Sequence, residues 1–195
     1  MSWGMPHSPI PMKIEKRDRE RLKEIAVSSI EKKLHQIEFS IIAENESPAL
    51  CAPGASFVTL QLKDKLRGCI GSLRAKQPLA LDVSHNALAA AFNDPRFSAL
   101  SIEEFPECTV SISVLSTPKA LAVKDLGDLE KQLKPGTDGL VLEFQGHRAT
   151  FLPAVWVTLP DKSKFISELA RKAGLDIRDY SEEWRFSTYH VDEIK

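Results

Sequence analysis

Three cysteines in 195 residues, Cys51, Cys69 and Cys108, with no Cys-x-x-Cys pair among them, argue against a disulfide framework and fit a reducing, cytoplasmic setting. An excess of charge of one sign is also missing. The 26 basic and 27 acidic residues leave a net charge of -1, so there is no basic field for nucleic acid or an anionic membrane. Aromatic residues make up only 7 % of the chain, which speaks against a base-stacking RNA module. No apolar run approaches a membrane span. The opening MSWGMPHSPIPMK places prolines where a signal peptide needs its apolar stretch, and residues 1–12 read as a loosely ordered lead-in. There is no Gly-x-Gly-x-x-Gly, no phosphate loop and no Gly-x-Ser-x-Gly turn. The five histidines and three cysteines show no metal-ligand spacing. No metal, no cofactor, no nucleic acid and no membrane partner are expected.

What is present is an ordinary globular composition, 43 % hydrophobic and 27 % charged, long enough to bury a core without staples. Leu22, Ile25, Ala26, Ile30, Leu34 and Ile37 recur at helical spacing. SFVTLQL and LRGCIGSL read as a hairpin, and QPLALDVSHNALAAAFND as a helix apolar almost all round, with only Asp82, Asn86 and Asn93 as a polar stripe. CTVSISVL alternates as a half-buried strand. GLVLEFQGHRATFL reads as a hairpin turning near Gln145-Gly146, and DKSKFISELARKAG as a helix capped by Asp161 and Gly174. Helices interleaved with hairpins predict an α+β fold: a mainly antiparallel sheet, flanking helices and one central, largely buried helix.

The hairpin raises the functional question, because its second strand is thinned by Gly68, Cys69 and Gly71 beside Arg67. A three-residue turn, Lys63 to Lys65, keeps the apolar residues on one face. It pairs Leu62 with Leu66, Val58 with Ile70, Thr59 with Cys69 and Gln61 with Arg67. Thr59, Gln61, Arg67, Cys69 and Gly71 then share a polar face, where Gly71 leaves open space or lets another backbone approach. On that face Arg67 can favour the Cys69 thiolate; Cys69 equally suits a small packing residue. His85 in the central helix is a candidate general base for Cys69, or a hydrogen-bonded half-buried residue. Asp94 and Arg96 either contact a ligand or clamp their loop as an ion pair.

The ordered succession LRGCIGSL, AAAFNDPRFSAL, VSISVLSTP, GTDGLVLEFQGHRATFLPAVW and FISELARKAGL resembles the AMMECR-one domain family, also called AmmeMemoRadiSam system protein A, over residues 13–192. The family signature falls on Leu66, Arg67, Gly68, Cys69, Ile70 and Gly71. A second motif falls on Asp94, Pro95, Arg96 and Phe97. A third falls on Leu152, Pro153, Ala154 and Val155, where Ala154 replaces a frequent glutamine. The resemblance implies an α+β fold, as one domain or as a larger and a smaller subdomain, and association with a Memo-like protein and a radical-SAM protein. It supplies no reaction. Two function classes follow. One is a small enzyme of a modification pathway, with Cys69 as nucleophile or acid, Arg67 holding an anionic group and His85 or Asp94 moving protons. The other is a non-catalytic module gripping a small molecule, a peptide or the partner protein.

Overall fold

The computed structural model describes residues 14–195, so the expected lead-in over residues 1–12 lies outside the described residues. In chain order the elements are α1 (Lys16–Leu34), α2 (Pro48–Cys51), β1 (Pro53–Leu62), β2 (Lys65–Gly71), β3 (Gln77–Pro78), α3 (Leu79–Phe92), β4 (Cys108–Leu115), β5 (Lys119–Leu121), α4 (Leu126–Gln132), β6 (Gly139–Phe144), β7 (His147–Phe151), α5 (Lys162–Lys172), β8 (Arg185–Tyr189) and β9 (Val191–Ile194). They fall into two units. The first runs to Ser116 and takes back Asp192–Lys195; the second is Thr117–Val191. The class is α+β with antiparallel pairing throughout the described registers.

In the first unit the sheet order is β2-β1-β4-β9, with β3 added to β1. Alternation sets its buried face: Val58, Leu60, Val110, Ile112 and Val114 pack with Leu22, Ile25, Ala26 and Ile30 of α1 and with α3 into one core. The Ser29 and Ser84 hydroxyls, 2.8 Å apart, link α1 to α3 inside it.

The helix α3 is central and largely buried, but of the stripe expected to face solvent only Asn93 is exposed. Asp82 and Asn86 are 3 % and 8 % exposed, while His85 faces solvent. The reason is hydrogen bonding: the Asp82 carboxylate accepts from the Ser56 amide (2.8 Å) and hydroxyl (2.7 Å), the Ser72 hydroxyl (2.6 Å) and the Asn86 amide (2.9 Å). A buried carboxylate supplied with several donors lies at far lower energy than an unpaired one. The polar residues therefore join the helix to β1.

The hairpin register holds at Val58 with Ile70 and at Thr59 with Cys69, and departs at the tip. The turn has two residues, Lys63 and Asp64, both left-handed with φ of 50° and 62°. Leu62 pairs with Lys65 and Gln61 with Leu66, and a bulge absorbs Arg67. A bulge re-aims the extra side chain, so Arg67 does not pair with Gln61 as expected. Gly68 is there because α3 crosses the strand; a side chain on it would collide with the Ala90 carbonyl. At Gly71 the space is filled by the ring of Phe57, its cross-strand partner, and the Ser56 carbonyl approaches closely, so of the two readings it is the close backbone approach that holds.

The second unit is a four-stranded sheet, β5-β8-β6-β7, packed on α4 and α5. Its hairpin turns at Gln145-Gly146 in left-handed conformations, and Asp161 caps α5 by accepting from the Lys164 amide at 2.8 Å. Trp156 stacks on Phe165 with ring centroids 3.6 Å apart. At the outer strand β7, Lys172 donates to the Thr150 carbonyl at 3.0 Å.

Candidate functional site

The motif residues of β2 and of the loop after α3 meet along the free edge of β2. Proline at position 95 ends α3, and the loop folds back so that Asp94 lies against the edge. Its Oδ2 accepts the Cys69 amide N–H at 2.9 Å, and Arg96 Nη2 donates to the Cys69 carbonyl at 3.3 Å. Arg96 closes the clamp on Asp94 itself, at 3.0 Å from Nε to Oδ1 and 2.7 Å from Nη2 to Oδ2. Asp94 is 4 % exposed. The Arg96 guanidinium and the Cys69 amide hold its carboxyl well below the ordinary carboxylate range, and the same pairing raises Arg96.

Arg67 is 8 % exposed and forms a two-pronged pair with Glu104, at 3.1 Å from Nε and 2.9 Å from Nη2. Its third nitrogen, Nη1, is buried without a partner. The Phe97 ring lies between the two arginines, 5.9 Å from the Arg67 Cζ and 5.4 Å from the Arg96 Cζ, within range for cation–π attraction. Hydrogen bonding to Glu104 raises Arg67 further above its usual value, and Arg67 holds Glu104 low. Glu104 also accepts the Ser101 amide at 3.0 Å.

The expected partnership of Arg67 with the Cys69 thiol is replaced by an exchange of cations. The Arg67 charge acts on Cys108, whereas the charge near Cys69 is Arg96. Burial, with Glu104 next, pushes the Cys108 thiol up despite Arg67. Cys69 is half-buried, and its sulfur accepts from the Thr59 hydroxyl at 3.3 Å. Among the described residues no hydrogen bond joins Cys69 to His85, which stands exposed on α3.

The structure thus brings together Thr59, Cys69, Asp94 and Arg96, and places Arg67 beside them on Glu104. Gln61 is exposed at the tip beyond the bulge, and Gly71 lies under Phe57. The sequence reading missed Glu104. A buried arginine requires a carboxylate, but Glu103, Glu104 and Glu107 all precede β4, and only the folded loop selects among them. Directly after the third motif, Trp156 is buried and donates to the Asp138 carbonyl at 2.7 Å, and with Val155 it packs into the second unit's core.

A bulged hairpin edge clamped by an Asp-Pro-Arg-Phe loop, in an α+β chain of two units, defines a class of domain rather than a reaction. The chain belongs to the AMMECR1 family, whose model matches residues 23–194. It is 38 % identical over 168 residues to Protein LS215_2104 of Saccharolobus islandicus, spanning 80 % of this chain and 70 % of that protein. A protein of Sulfolobus acidocaldarius is 35 % identical over 165 residues, with the same shares covered. The crystal structure of an uncharacterized protein, PH0010 from Pyrococcus horikoshii, superposes with a TM-score of 0.82 at 28 % identity over 92 % of each chain. No helix among the described residues is long and apolar enough to cross a membrane.

Proposed function

We propose that this chain is a non-catalytic recognition component, an accessory protein that acts with a Memo-like and a radical-SAM protein in a cytoplasmic modification pathway. The observation that carries this reading is where the charged groups are used. Asp94 and Arg96 bond to the peptide group of Cys69 and to each other, and Arg67 bonds to Glu104. Groups held in such pairs build a rigid surface rather than a proton relay. The Arg96 side chain is 53 % exposed, and Leu66 on β2 and Ile102 in the loop leading to Glu104 are each 43 % exposed. Arginine is enriched at protein interfaces, and exposed apolar side chains add area that a partner can bury.

A second reading, Cys69 as nucleophile, is favoured by one feature: the sulfur has a hydroxyl donor in Thr59 and the Arg96 charge nearby. Co-purification with the Memo-like partner, together with pathway activity in cells, separates the two. The recognition reading expects Leu66→Asp and Arg96→Met to lose the partner and the activity, while Cys69→Ser keeps both. A Cys69→Ser protein that still holds its partner but has lost activity transfers the function to thiol chemistry.

A further inference from the structure

A cavity of about 480 Å3 lies in the first unit, between the first two turns of α1 and the segment 45–50 that leads into α2. Two polar groups in its wall, Asp18 and Ser47 Oγ, have no side-chain or backbone partner among the described residues. Asp18 is only 9 % exposed, and its carboxylate joins no hydrogen bond or ion pair among the described residues. Ser47 Oγ is buried and unbonded, although Ser47 holds the position before α2 where a serine oxygen ordinarily accepts from the helix backbone.

The other acidic groups in the wall are largely spoken for. Arg21 binds Glu46 at 2.7 Å and Glu24 at 2.8 Å, so Asp18, in the first turn of α1, has the helix N-terminus for company but no side-chain partner among the described residues. A largely buried carboxylate favours a cation or several donors beside it. Four carboxylates against two guanidiniums give the wall a net preference for positive charge, and Leu50 supplies an apolar side. We propose that this cavity is a binding site for a small organic cation, a primary ammonium or guanidinium compound, whose N–H groups donate to Asp18 and to Ser47 Oγ. It is separate from the Cys69 cluster and does not depend on the function assigned there.

The test is thermal unfolding of the full chain with 1,4-diaminobutane and, separately, agmatine, each against sodium chloride at matched ionic strength. A saturable rise in Tm with one of the amines is expected. Asp18→Asn should abolish the rise with little change in the Tm of the ligand-free protein, because Asp18 has no side-chain partner to lose and the helix N-terminus contributes only a small stabilisation. Ser47→Ala should weaken the midpoint about tenfold, the scale of one hydrogen bond to a charged group. No saturable rise with either amine, or an equal rise in Asp18→Asn, overturns the proposal. So does a ligand-free Asp18→Asn protein that melts well below the parent, since Asp18 would then serve the fold.

Discussion

Arg67 is the residue at which sequence and structure part most sharply. A cation beside a thiol in a short motif reads as activation, yet its charge is consumed by Glu104, 37 positions away. The pair is asymmetric, with Arg67 buried and the Glu104 side chain 33 % exposed. Removing the carboxylate strands a buried cation, whereas removing both charges leaves an apolar site near Phe97. Glu104→Ala is therefore expected to cost about 2–3 kcal/mol in urea unfolding, less than the ~3–5 for a fully buried pair because Glu104 is partly solvated. Arg67→Met combined with Glu104→Ala should recover at least half of that. A double variant as unstable as the sum of its parts would show that the two side chains do not act on each other.

At the level of elements, periodicity located most of the architecture. Helices α1, α3 and α5, the strand β4 and both hairpins follow from apolar spacing and from caps such as Asp161. The orientation of α3 did not follow, because a polar stripe on a helix reads as solvent-facing unless its partners, Ser56 and Ser72, are known. The bulge was equally hidden. Lys63-Asp64 carries neither glycine nor asparagine, so its left-handed backbone left no mark in the sequence. That turn can be improved. Lys63→Asn with Asp64→Gly suits both φ values and is expected to raise unfolding stability by about 0.5–1 kcal/mol. The lost pair between Lys63 and Glu107 is exposed on both sides, at 76 % and 57 %, and subtracts only a few tenths of that order. A fall in stability would mean that the strained turn is needed to seat the bulge.

Across the whole molecule several carboxyls are held low by their partners: Asp94 by Arg96 and the Cys69 amide, Glu104 by Arg67, and Asp176, lowered to about 2, by Arg178. Each binds fewer protons folded than unfolded. Its contribution is complete above the unfolded carboxylate range near pH ~4 and is lost as pH falls through the lowered value. Stability should hold near neutrality and drop steeply from about pH 4 downward. Asp94→Asn should flatten that acid limb in urea midpoints measured against pH, and an unchanged limb would place the acid sensitivity elsewhere. The molecule also gives its two sheets one common treatment. In the first unit the exposed backbone of β2 at Cys69 is occupied by Asp94 and Arg96, and in the second the carbonyl of Thr150 on β7 is occupied by Lys172. A foreign strand could extend either sheet at these points only by displacing a charged side chain already bonded there. The residues that make the β2 edge recognisable as a motif thus also guard the chain against growing into fibrils through that edge.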